Sequence, residues 1–156
     1  MTEDAVFEDG HESPLYLGAF DVDDLQVISS LAQDAVFPIT EMTWRAGERR
    51  FALLLNRFRW EDQLRAQQSP ERVRSLLVID NVLRVSSQGI DRNDADTVLS
   101  LLSVGFEPAR DGPGHVMLML AGDGAIRLEI EALEVTLKDV TRPYRAVSGK
   151  VPRHDT

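Results

Sequence analysis

Apolar positions along most of this chain fall in short runs of strand length, some alternating with polar residues and others, such as Phe51–Leu55 and Val116–Leu120, apolar on both faces. The exception comes early. Leu25, Ile28, Ala32, Ala35 and Val36 recur at helical spacing, which predicts an amphipathic helix over 23–36. Asp21, Asp23 and Asp24 supply an N-cap and the negative charge that a helix start favours, and Pro38 ends the pattern. Ahead of the helix, Leu15, Leu17 and Phe20 suggest a short strand.

After Pro38 the signals are those of strands. Met42–Trp44 and Arg50–Asn56 flank a turn through Ala46–Glu48 and read as a hairpin. Segment 61–71 (EDQLRAQQSPE) combines helix formers with Pro70 and is assigned as a loop. Val73–Val85 is long for one strand, so a bulge or tight turn is placed at Asp80–Asn81. Thr97–Phe106 and His115–Leu120 are the next strands, separated by the turn Asp111–Gly114, and Gly122–Asp123–Gly124 makes a hairpin turn. In the last strand Ile126, Leu128 and Ile130 alternate with Arg127, Glu129 and Glu131. Beyond Ala132 the apolar set moves to Leu133, Val135 and Leu137, a change of phase that a bulge at 131–132 accommodates.

About seven strands, one helix near the N-terminus and short sequential connections predict an α+β, mostly β fold: an antiparallel bent sheet or partly closed barrel, its outer face partly covered by the helix. Residues 36–85 and 97–138 each have room for a three-stranded meander. The acidic segment 1–12 and the polar segment 146–156 read as flexible tails around a single globular domain over 13–145.

Composition narrows the chemistry. A chain of 156 residues, 43% apolar and 28% charged, matches one ordinary folded domain. The absence of cysteine excludes disulfides, thiolate nucleophiles and sulfur-ligated zinc. The N-terminal stretch is acidic and lacks the apolar core of a secretory signal. Apolar runs such as the six residues Val116–Ala121 are far short of the roughly 20 that a spanning helix needs. The expectation is a cytoplasmic protein without a membrane partner.

The net charge of −9 hides an asymmetry. Residues 1–44 contain ten acids and no Lys or Arg, whereas 45–74 contain eight arginines against four acids. Either the arginines form a surface for a partner, or the acidic segment lies against them within the molecule.

Four separated blocks carry a resemblance: Arg49–Glu61 (RRFALLLNRFRWE), Val82–Ile90 (VLRVSSQGI), Val98–Pro108 (VLSLLSVGFEP) and Ala121–Leu133 (AGDGAIRLEIEAL). Together, in this order and over most of 14–140, the chain resembles a bacterial family of domains of unknown function. The resemblance implies a small single-domain protein. It implies no activity, ligand or site residue.

Candidate chemistry therefore rests on the residues themselves. Trp44, Arg49, Arg57, Arg59 and Trp60 form the main candidate binding set, because arginine forks grip phosphates or carboxylates and aromatic faces stack on bases. Alternation puts Arg57 and Arg59 on the face opposite Phe58 and Trp60, so the plain structural alternative is buried aromatics backed by solvated arginines. The acidic balance of the whole chain argues against nucleic acid as the partner. Glu129, Glu131, Glu134 and Asp139 do not all share a face, and Asp91, Asn93, Asp94 and Asp96 depart from a calcium loop at Asp96 and Leu102, so no metal or other cofactor is implied. His115, Glu61 and Asp62 are the candidates for acid–base chemistry, while His11 and His154 fall in the tails.

Function itself is not legible in the sequence. The favoured class is a non-enzymatic protein-interaction or scaffold module, working through a sheet edge or the arginine hairpin, with a homodimer compatible with such an edge. The alternatives are a small-molecule-binding protein or an enzyme using His115, Glu61 and Asp62, and an RNA binder using the Arg/Trp hairpin.

Overall fold

The computed structural model describes residues 14–59, 71–141 and 144–145. In chain order the elements are β1 (Tyr16–Ala19), α1 (Val22–Ala32), β2 (Val36–Pro38), β3 (Met42–Arg45), β4 (Arg50–Phe58), β5 (Glu71–Ile79) and β6 (Val82–Gln88). There follow β7 (Val98–Glu107), β8 (Gly114–Leu120), β9 (Ala125–Ile130), β10 (Val135–Asp139) and the two-residue β11 (Tyr144–Arg145). Short 3₁₀ turns cover Ile39–Glu41 and Ala46–Glu48.

All strand pairs are antiparallel. The sheet runs β1-β10-β5-β4-β2-β7-β8-β9-β6, with β3 branching from β4 and β11 from β5. Among the described residues its two ends, β1 and β6, do not pair with each other. The fold is therefore a mostly β antiparallel sheet with one helix, and it is not closed into a barrel.

Among the described residues the expectation of about seven strands is corrected to ten and the two-residue eleventh. Two expected strands each divide. Val73–Val85 becomes β5 and β6, and Ile126–Leu137 becomes β9 and β10. β5 pairs with β10 and β6 with β9, so these segments make one long two-stranded ribbon bent where Asp80–Asn81 opposes 131–134. The phase change read near Ala132 is this bend: Ile130 and Val135 both point into the core, five positions apart.

Backbone hydrogen bonds hold the corner. Asp80 N donates to Glu134 O at 3.0 Å, Glu131 N donates to Asn81 O at 2.9 Å, and Asn81 takes the left-handed conformation at φ 62°. Arg50 Nε donates to Asp80 Oδ1 at 2.9 Å, and this bond, followed by the charge of Asp80, raises the Arg50 pKa above its ordinary value.

β2 is the third unexpected strand. The Asp21 side chain caps α1 by accepting from Asp24 N at 2.8 Å, as the sequence predicts, but the helix stops at Ala32. Asp34 turns the chain at φ 65°, and Ala35 O accepts from Leu101 N at 2.8 Å. Val36–Pro38 then bridges β4 and β7. Ala35 and Val36 satisfied the helical spacing only because a short apolar run fits both periods. The fourth is β11, which falls in a segment that carried no strand signal.

Directly paired residues share a face. Phe51, Leu53 and Leu55 of β4 therefore point the same way as Leu77 and Ile79 of β5 and Val135 and Leu137 of β10. These residues, the core positions of β7–β9 and the buried side of α1 (Leu25, Ile28, Ala32) form a single cluster. The helix thus packs on the inner face, not the outer face expected, because its apolar stripe is needed to fill the interior that the bent sheet encloses. No helix among the described residues is long and apolar enough to cross a membrane.

Candidate functional site

The gap in the sheet opens onto a concavity lined mostly by apolar side chains. β3 pairs only with β4 and β6 only with β9 among the described residues, so each leaves one edge free. The two strands meet near the β3–β4 turn, where Val82 N donates to Arg49 O at 2.9 Å. β3 runs towards this junction and β6 away from it. Beyond it lies a cleft of about 400 Å³, within the usual size of a small-molecule site.

The register explains the lining. Trp44 is opposite Phe51 and Met42 is opposite Leu53, so Met42 and Trp44 lie on the inward face of β4. Val85 is opposite Leu128 and Ser87 is opposite Ile126, so Val85 and Ser87 lie on the inward face of β9. The walls are thus core-facing side chains at a place where the next strand is missing. Trp44 keeps 37% of its surface exposed although it points inward. Ile39 and Thr40 also line the cleft, and the exposed Arg92 and Ala95 line its rim from the 89–96 segment.

Local structure fixes that segment. Asp91 accepts from Asn93 N and Asp94 accepts from Asp96 N, both at 3.0 Å, so these polar residues cap their own turns. Gly89 begins the segment at φ +72°, and a Cβ there would stand 3.0 Å from the Asp123 carbonyl oxygen. Glycine permits this approach to the β8–β9 turn.

The candidates singled out in the sequence fall in different places. Trp44 lines the cleft. Arg49 lies outside it, with its guanidinium Nη1 2.7 Å from Glu131 Oε2. Trp60, together with Glu61 and Asp62, lies outside the described residues. The expected solvated arginines are instead buried: Arg57 is 0% and Arg59 5% exposed. Arg59 Nη1 pairs with Glu71 Oε1 at 2.9 Å.

Arg57 continues the inward set Phe51, Leu53, Leu55, and that alternation was the available signal for its burial. Its Nε donates to Ser75 Oγ at 2.9 Å, and its Nη2 donates to Asp139 Oδ1 at 3.0 Å and Oδ2 at 3.2 Å. Ser75 Oγ in turn donates to Asp139 Oδ1 at 2.6 Å, and Leu15 N donates to Oδ2 at 2.9 Å. The centre therefore ties β4, β5 and β10 to the residue before β1. Phe58 is buried too, beneath the Arg72 guanidinium at 3.8 Å.

The remaining acids and the histidine are dispersed. Asp139 serves Arg57, Glu131 serves Arg49, and the Asn81 side chain donates to Glu134 Oε1 at 3.4 Å. Glu129 stands 4.0 Å from Arg84. Among the described residues no three His, Asp or Glu groups gather as a metal site. His115 lies on β8, pairing with Glu107 and Glu129 positions, and its Nδ1 is 3.4 Å from Arg127 Nη2. This is the face opposite Val116 and Leu118, away from the cleft.

Sequence reading missed most of the cleft. Met42, Phe51, Val85 and Ile126 are indistinguishable from core residues by pattern, and Arg92 sits in a polar loop. No curated protein and no solved structure matches this chain. A family match covers residues 15–154, most of the chain: the chain belongs to the family described as Protein of unknown function (DUF2948).

Proposed function

We propose that this protein is a non-enzymatic binding protein whose site is the cleft between β3 and β6 and whose ligand is a small molecule with an apolar body. One observation carries the reading: core-facing Met42, Trp44 and Val85 are left without a covering strand around a volume of about 400 Å³. Uncovered apolar surface is unfavourable in water, so filling the cleft returns the hydrophobic free energy of those side chains. The lining draws core-facing residues from β3, β4, β6 and β9, which suits a compact ligand with an apolar body. Burial of Arg57 and Arg59 moves the candidate site off the arginine hairpin and onto Trp44.

The test uses the neutral dye N-phenyl-1-naphthylamine, whose emission rises in apolar surroundings. The expected result is saturable binding of one dye per chain, abolished by Ser87→Trp, which fills the cleft from an exposed lining position. Absence of saturable binding, or binding that Ser87→Trp leaves intact, rejects the reading.

A further inference from the structure

Among the described residues Arg92 is the one ionisable side chain in the cleft lining, and no carboxylate shares the lining with it. Arg92 forms no ion pair among the described residues, a state it shares with Arg74, Arg110 and Arg127, but of these four Arg92 alone lines this cleft. Its neighbours Asp91 and Asp94 direct oxygens at backbone N–H groups of Asn93 and Asp96. A chain of net charge −9 has ample acid to neutralise an arginine, yet this one stands at the mouth of an apolar cleft. The hydroxyls of Thr40 and Ser87 are the other polar side chains of the lining.

From this juxtaposition we infer that the ligand is an amphipathic monoanion, a small molecule with an apolar ring or short chain and one carboxylate that Arg92 binds at the cleft mouth. The inference rests on the cleft being the binding site. The planar guanidinium meets a carboxylate with two parallel charge-assisted hydrogen bonds. Thr40 and Ser87 offer hydroxyl donors, and the apolar walls take the body of the molecule. A dianion or polyanion fits less well, because the single cation shares its segment with three acids, Asp91, Asp94 and Asp96.

The test compares 1-naphthoate with its methyl ester, which have the same ring and differ in charge. Calorimetric titration of the full chain is expected to show 1-naphthoate binding about tenfold tighter than the ester. Arg92→Gln, an exposed loop substitution, is expected to remove that preference by bringing the affinity for 1-naphthoate down to that for the ester. Equal affinity of acid and ester in the wild type, or a preference that survives Arg92→Gln, overturns the role of Arg92 while the cleft stands. Failure of both ligands to bind the wild type removes the cleft reading and the inference with it.

Discussion

Phe51 and Arg57 stand six positions apart on one face of β4, about 20 Å along the strand, and they meet opposite kinds of interior. Around Arg57 the interior is sealed: the guanidinium is fully buried, and Ser75 of the adjacent β5 and Asp139 of β10, one strand further on, hydrogen-bond it. Around Phe51 the sheet stops, and apolar side chains of β3 and β6 border an open cleft with an exposed arginine, Arg92, at its mouth. The difference teaches how one residue type acquires two roles. A buried charge is tolerable only where geometry supplies hydrogen-bonded counter-charge, whereas an arginine left in water beside apolar walls retains its capacity for an external anion.

The largest expected effect breaks the sealed end. Asp139→Ala leaves the Arg57 guanidinium buried without its carboxylate and is expected to cost about 3–5 kcal/mol in urea unfolding. The triple change Arg57→Leu, Ser75→Ala, Asp139→Leu is expected to cost much less, because it removes the charge along with its partners. A loss below about 1 kcal/mol for Asp139→Ala would show that water reaches the centre, and the contrast between the two ends would collapse.

Next comes the hinge of the open end. Gly89→Ala places a Cβ 3.0 Å from Asp123 O at a left-handed φ of +72° and is expected to cost about 1–2 kcal/mol by thermal or urea unfolding. Because Gly89 starts the segment that carries Arg92, the same variant is expected to weaken dye binding in the cleft. Unchanged binding would detach the segment from the site.

Smaller effects sharpen the comparison at the surface. Arg49→Ala removes an ion pair whose side chains remain 57% and 61% exposed. The expected loss is about 0.2–1 kcal/mol, shrinking further at high salt in parallel denaturation curves. Ser87→Trp is expected to leave stability within about 0.5 kcal/mol while closing the cleft to the dye. A large destabilisation by that variant would mean the cleft is part of the packed core.

Much of the local structure was legible. The Asp21 cap, the hairpin at Ala46–Glu48, the turn at Asp80–Asn81 and the Gly122–Gly124 turn each depend on residues close in sequence, so composition at those points suffices to place them. The position of Arg57 was half legible, since alternation put it in line with Phe51, Leu53 and Leu55, but the competing apolar pair Phe58 and Trp60 pointed the other way. Both Arg57 and Phe58 prove buried at that end of the strand. The cleft was illegible because its walls come from β3, β4, β6 and β9, and each wall residue by itself is an ordinary core position.

By itself, then, the sequence determined that this chain folds as mostly antiparallel strands with one capped helix, and that it has no disulfide or thiolate of its own. Only the tertiary structure decided that two long apolar runs bend into separate strands, that the helix lines the inside, and that the sheet remains open between β3 and β6. Strand period and turn chemistry are set within a few residues, whereas sheet closure depends on pairings between segments far apart in the chain. The same distance rule separates Arg57 from Arg92: the acid that neutralises the first arrives from Asp139, 82 residues away.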